Sequence, residues 1–585
     1  MVKPKVTTAT NEILIKNGFV YDPASGINGD VKDIAVQNGK IVEASKLTTG
    51  ARVIDARGKI VMPGGIDIHT HIAGPKVNTG RMFRPEDKLH DAGMESSSRL
   101  IRAGGGFSVP STFTTAYRYA RLGYTMANEA AMPPLLARHT HEEIRDTPII
   151  DQSAYTLLGN NWLVMEYIKR GETEKLDAFV AWMLKATKGF VVKLVNPGGT
   201  EAWGWGKNCV SIDDPVPYFD VTPTDIIKGL AGANERLGLP HSIHIHPNNL
   251  GHPGNVTTTL KTLALTEGIK THKKSGRTQN IHLTHAQFHS YGGTSWKDFF
   301  SEASKTADYI NSHDHVTSDV GFVTLDETTT MTADGPMEYG LHTLGHLKWC
   351  NADVELETGS GLVPVLYSPA SHVNGIQWAI GIELALLIKD PMKCFMTTDH
   401  PNGGPFTRYP TIISWLMSKK ARDAKMATLH KWVPERTKLS GIDRELTFYE
   451  IAQMTRAGPA RSLGISKKKG GLAPGMDADI AIYAFNPKTT DAGQKPEALV
   501  KAFERSAYTI KGGEVVIKDG EVVALGNSKS TFWSDADGFD NKEVTHDIVD
   551  KFLKYYSVTL NNYPVQDSYI LNPTVIKCGP LAGGN

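Results

Sequence analysis

The chain has 585 residues, enough for two to four domains or one large barrel with additions, and its 63 Lys and Arg balance 62 Asp and Glu. That balance leaves no global field to recruit nucleic acid or an anionic membrane. Four scattered cysteines (Cys209, Cys350, Cys394, Cys578) form no CxxC, which argues against a cluster, a four-cysteine zinc site or a secreted disulfide scaffold. From the N-terminus, "EILIKNGFVYD", "DIAVQNGKIVEAS" and "ARVIDARGKIVMP" read as short strands, with turns expected at Asn17-Gly18 and Asn38-Gly39. No signal-peptide-like segment opens the chain and no apolar run is long enough for a bilayer, so the expected compartment is the cytoplasm.

The middle alternates differently. Helical stretches such as "EKLDAFVAWMLKATK", "TPTDIIKGLAGANERLG" and "GIQWAIGIELALLIK" are each followed by a short apolar run. Strand after helix after strand implies parallel βα units, and about 400 residues of them suit a (β/α)8 TIM-like barrel. An open doubly wound sheet is the alternative, but no GxGxxG follows the first strand of this region. Near residues 470–526 the Gly-rich β texture returns ("GMDADIAIYAF", "AYTIKGGEVVIKDGEVVAL"). The expected α/β architecture is therefore a barrel with a small β-sandwich domain made from both chain ends: 1–62 and 466–527 for the β-sandwich, 63–465 for the barrel. Residues 528–585 form a C-terminal extension that caps the fold or faces another subunit.

In a barrel, reacting groups sit where strands end. Five apolar runs end in metal-ligand residues. In "IDIHTH", His69 and His71 lie two apart and so share one side of a strand. Lys193 interrupts "GFVVKLVNPGG", where a buried charge is expensive; it snorkels, pairs with a carboxylate, or captures carbon dioxide as a carbamate that bridges two cations. "HSIHIHPNN" offers His244 and His246, "NIHLTHAQ" offers His282 and His285, and "CFMTTDHPNGG" offers Asp399. Singly, such histidines are core hydrogen-bonders and such an aspartate is a turn cap. Together, in the order H-x-H, Lys, His, His, Asp, they form an imidazole and carboxylate set without thiolate, which suits zinc or a similar divalent ion.

On these residues, and above all on "MPGGIDIHTH", the sequence resembles the amidohydrolase superfamily, in its dihydroorotase and hydantoinase branch. "HIAGPKVNTGRMFRPED", "IHIHPNNLGHPGN" and "TADGPMEYGLHTLGHLKW" further resemble the A subunits of the formylmethanofuran dehydrogenase family. The resemblance implies two Zn(2+) ions across a carboxylated Lys193. His69 and His71 hold the first ion, His246 and His285 the second, and Asp399 binds the first and moves protons. His244 and His282 remain as alternative ligands or as supports for the ligands. The implied reaction interconverts N-formylmethanofuran with formate and methanofuran, in methanogenesis or related one-carbon metabolism. Implied partners are iron–sulfur subunits and a tungsten- or molybdenum-pterin formate dehydrogenase subunit; this chain itself holds neither cluster nor pterin. Two other readings stand: a free-standing cyclic amidase of the dihydropyrimidinase or hydantoinase type, and a metal-free scaffold. Lys76, Arg81 and Arg84, in the loop after the first metal strand, are expected either to receive the carboxylates of a methanofuran-type tail or to form a solvated surface with an Arg84–Asp87 pair. His313, His315, His342 and His346 are read as supporting or structural residues rather than as a further metal site in "NSHDHVTSD", because no single strand end organises them.

Overall fold

The structure, a computed structural model, describes residues 12–89, 100–101, 105–272, 275–352, 360–536, 542–555 and 558–579. Eight parallel strands run in chain order: Gly65–Thr70, Tyr124–Met132, Asp151–Leu157, Val191–Val195, Ile243–His246, Ile281–Leu283, Val316–Asp319 and Cys394–Phe395. Each pairs with the next. The ring closes through a parallel bridge between Thr70 and His400, where His71 N donates to His400 O at 2.6 Å. Five of them contain or precede the apolar runs singled out in the sequence; Tyr124–Met132, Asp151–Leu157 and Val316–Asp319 complete the ring. They read as apolar because side chains face packed helices on one side and the barrel interior on the other. One such helix, Pro223–Arg236, starts at a capping box between Thr222 and Asp225.

The second sheet has nine strands and takes them from both ends of the chain. Its seam is Ile60–Pro63, which pairs in parallel with Glu12–Asp22 and antiparallel with Ile480–Tyr483. Ile15, Val20, Val36, Val61, Ile480 and Ile510 pack its core. Asn38-Gly39 is a turn, with φ of 51° and 78°, as its sequence implies. Asn17-Gly18 is not. It lies inside the strand Glu12–Asp22 as an irregularity in register, with Asn17 at φ 62°. A Cβ at Gly18 would stand 2.4 Å from Val61 Cγ2, so this glycine allows close packing of neighbouring strands.

A buried ionic cluster joins this sheet to the barrel. Lys469 Nζ lies 2.5 Å from Asp151, 2.6 Å from Asp479 and 2.8 Å from Asp477, and Lys511 Nζ lies 3.1 Å from both Asp151 and Asp479. Asp151 opens a barrel strand; Lys511 ends a strand of the second sheet. Removing one member leaves buried carboxylates without their counter-charge. Lys469→Met is expected to destabilise the fold by about 3–5 kcal/mol, read as a lowered denaturant midpoint. An unchanged midpoint would show that Lys511 alone neutralises the cluster.

The last segment caps the barrel. Thr531–Ala536 pairs with Gln152 and Ser153, and Ser534 N donates to Gly189 O at 3.0 Å, so this strand lies between the third and fourth barrel strands at their lower ends. Pro573–Cys578 pairs with it in parallel. The helix Lys542–Tyr555 sets Phe552 against Trp182, with ring centroids 6.0 Å apart. Between the seventh and eighth barrel strands, an inserted three-stranded sheet (Glu327–Thr332, Cys350–Ala352, Ser360–Leu366) carries the helix Gly335–Gly345.

Candidate metal centre

All six residues expected as ligands line one cavity of about 540 Å³: His69, His71, Lys193, His246, His285 and Asp399. His69 and His71 end the first barrel strand, and both turn Nε2 toward the same oxygen, Asp399 Oδ1, at 3.0 and 3.2 Å. His69, His285 and Asp399 each offer a donor atom, all within 4.8 Å of one another. Asp399 follows the eighth strand in a left-handed conformation (φ 51°), and Asn402 Nδ2 donates to its other oxygen at 2.8 Å. His285 is also left-handed (φ 35°). A Cβ on Gly321 would stand 2.4 Å from the His285 Cβ, so only glycine at 321 leaves that turn its space.

The donor chemistry fits a divalent cation. Lys193 Nζ and His285 Nδ1 are buried and have no hydrogen-bond partner among the described residues. Such orphans are costly in a finished protein interior and point to a missing partner. Burial brings the Lys193 ammonium down to about 7, so a neutral amine is available near neutral pH. Burial pushes the Asp399 carboxyl up, but His69 and His285 outweigh it and hold the group well below the usual carboxylate range. Imidazoles and a carboxylate without thiolate are a zinc-type set.

Three carboxylates that sequence reasoning missed hold the candidate ligands. Glu129 accepts from His71 Nδ1 (3.2 Å), Lys76 Nζ (2.8 Å) and the backbone of Ile72 (2.8 Å). It is a lone glutamate in the buried strand Tyr124–Met132, the same signal that marked Lys193. Asp319 faces His69 Nδ1 (3.3 Å) and His282 Nε2 (3.0 Å) and accepts from His285 N (2.7 Å). It ends the seventh barrel strand and so repeats the strand-end pattern. Asp334 accepts from His246 Nε2 at 3.0 Å and caps the helix Gly335–Gly345. Of the alternative pairs, His246 and His285 reach the cavity, whereas His244 and His282 lie behind it. His244 Nε2 meets His69 Nδ1 at 2.9 Å, and His282 Nδ1 meets Thr317 Oγ1 at 2.8 Å.

The structure does not bring Lys76, Arg81 and Arg84 to this cavity. Their segment is not a solvated loop but the helix Pro75–Phe83 and its C-terminal turn. Lys76 is buried on Glu129 and Ala131 O. Arg81 bonds Glu143 at 2.7 Å, and Arg84 is buried against Glu327, Thr328 O and Thr329. Arg84 and Asp87 do approach, at 3.9 Å, but as a buried pair. The four other histidines serve local structure. His313 stacks on Tyr309, His315 and His342 bond backbone carbonyls, and His346 ends a helix. The cavity wall is mostly apolar, with Leu250, Phe288 and Trp296 from the barrel loops and Met337, Leu341 and Leu344 from the inserted helix.

The description "Amidohydrolase family" fits residues 52–517, where that family's model matches. The chain is 57% identical over 569 residues to Protein FwdA of Methanocaldococcus jannaschii, covering 97% of this chain and 99% of that protein. It is 36% identical over 523 residues to the A component of the formyltransferase/hydrolase complex Fhc of Methylorubrum extorquens, covering 88% and 90%. A chain in the crystal structure of the FhcABCD complex from Methylorubrum extorquens, determined with methylofuran, superposes with a TM-score of 0.87 at 34% identity, over 97% of this chain and 100% of that one. A barrel with candidate ligand residues at its strand ends and near-full-length similarity to these two proteins lead to one assignment: the chain belongs to the amidohydrolase family and, within it, to the A subunits of the formylmethanofuran dehydrogenase family.

Proposed function

We propose that this chain is the metal-dependent amidohydrolase subunit of a formylmethanofuran dehydrogenase, interconverting N-formylmethanofuran and water with formate and methanofuran. The observation that carries this reading is the convergence of His69, His71, Lys193, His246, His285 and Asp399 on one cavity. In this reading His69, His71 and Asp399 would hold one zinc-type ion, His246 and His285 would hold the second, and a carboxylated Lys193 would serve both. Bound there, such ions polarise a carbonyl oxygen and lower the pKa of water.

The chain's own residues handle the proton and the environment. Asp399 Oδ1 takes a proton from the attacking water and returns it to the amine nitrogen as the C–N bond breaks. The water oxygen ends in formate and the nitrogen leaves as the amine. Asn402 fixes the carboxylate through its bond to Oδ2. Leu250, Phe288, Trp296 and the helix Gly335–Gly345 exclude bulk water and suit an apolar, aromatic amine. The partners in this reading are iron–sulfur subunits and a tungsten- or molybdenum-pterin formate dehydrogenase subunit, in the cytoplasm. Among the described residues no helix is long and apolar enough to cross a membrane.

The test is formate release from N-formylmethanofuran by the purified chain and by its complex, beside a panel of hydantoins and dihydropyrimidines, with bound metal quantified. Formate release by a metal-loaded protein supports the reading. Opening of a cyclic amide in its place makes the chain a cyclic amidase, and an inactive chain that takes up no metal makes it a scaffold.

A further inference from the structure

Behind the cavity, three buried histidines form a hydrogen-bonded file along the barrel interior. His69 Nδ1 meets His244 Nε2 at 2.9 Å, and His244 Nδ1 meets His241 Nε2 at 3.1 Å. His241 Nδ1 meets Ser462 O at 2.7 Å. The file starts at the upper end of the first strand and finishes below the fifth, where Ser462 ends a short helix. Ser462 O also accepts from Gln279 Nε2 at 3.0 Å.

A carbonyl oxygen can only accept, so His241 carries its proton on Nδ1. His241 and His244 are fully buried, and among the described residues neither has a hydrogen-bonded carboxylate to balance a charge, so each stands as a neutral ring. A neutral imidazole with a proton on Nδ1 has a bare Nε2. His241 Nε2 therefore accepts from His244 Nδ1. His244 Nε2, bare in turn, accepts from His69 Nδ1. His69 is left with its Nε2 lone pair, the atom that faces Asp399 across the cavity. Asp319 Oδ2, 3.3 Å from His69 Nδ1, also accepts and so agrees with the same tautomer.

We propose that His241 and His244 are positioning residues that transmit the Ser462 carbonyl's demand for a donor through two imidazoles and so hold His69 in the tautomer that ligates metal through Nε2. The inference rests on the metal-centre reading above. It predicts that the acceptor at the His241 Nε2 position, rather than bulk or polarity there, sets metal affinity.

Three variants of the full chain separate these properties. His241→Gln sets an amide oxygen near the Nε2 position and keeps an acceptor for His244. His241→Asn reaches only as far as Nδ1 and removes it, and His241→Leu removes both polar atoms. Zinc affinity, read by competition with a chromogenic chelator, is expected to fall about 10–100-fold in the Asn and Leu variants and to stay near the parent in the Gln variant. The melting temperature of the metal-free proteins reports any purely structural effect. If His241→Leu does not fold, the Gln and Asn pair decides alone. Equal zinc affinity in the Asn, Gln and parent proteins overturns the relay and leaves the metal centre standing. Failure of the parent to bind zinc overturns the metal centre, and the relay with it.

Discussion

Asp399→Asn is expected to lower formate release by about 10²–10⁴-fold, the usual span for a general acid–base group, while bound metal stays close to the parent level. The argument rests on position. Oδ1 of Asp399 is within 3.2 Å of both first-strand imidazoles, so the carboxylate stands where an attacking water must give up a proton. Asparagine keeps an oxygen facing the two imidazoles, but its NH2 end cannot accept from Asn402 Nδ2, and the amide cannot accept and return a proton. The loss should lie in kcat rather than KM, because the apolar wall that holds the amine is untouched. Single-turnover assays with metal quantified on the same sample check this. A variant with parental kcat would remove Asp399 from proton transfer.

Lys193→Met is expected to act in opposite directions on metal and on the metal-free fold. Methionine occupies much the same shape but cannot form a carbamate. If the carbamate bridges, metal content falls and turnover drops by more than about 10²-fold, beyond the roughly 10–100-fold usual for losing a partner that only supports a ligand. The metal-free fold gains. The buried Lys193 amine is held at about 7, well under its ordinary value of 10.5, so the unfolded chain binds this proton more readily. The parent therefore pays a penalty that grows as pH falls from about 10.5 to about 7 and levels off below, on the order of several kcal/mol. Unfolding of metal-free parent and variant across that range should converge at high pH and separate toward neutrality. A Lys193→Met protein that keeps its metal and its turnover would discard the bridging role.

The candidate site was legible where burial made polarity conspicuous. A barrel strand packed on both faces leaves no place for an imidazole or ammonium without a partner, so His69, His71, Lys193 and Asp399 stood out from their apolar neighbours. His246 and His285 could be separated from His244 and His282 only in three dimensions, because each pair shares a strand end and the difference lies in which ring reaches the cavity. Lys76, Arg81 and Arg84 looked exposed because they follow one another in a Gly-, Pro- and Asn-containing stretch. Their carboxylate partners, Glu129, Glu143 and Glu327, come from separate parts of the chain, and local sequence carries no sign of that pairing. Asn17-Gly18 carried the same dipeptide as a true turn; the packing of Val61 against Gly18 made it an irregularity within one strand instead.

The strand Thr531–Ala536, inserted at the lower edge of the barrel between the third and fourth strands, sets an order of assembly. During synthesis, Gln152 and Gly189 emerge long before the backbone groups that will bond them. Until then the barrel wall has an open seam, with strand edges able to pair wrongly. Contacts between such distant stretches close slowly, since the loop entropy must be met first. The nascent chain thus holds a nearly complete cavity face over an unfinished floor, and a chaperone would find exposed backbone there.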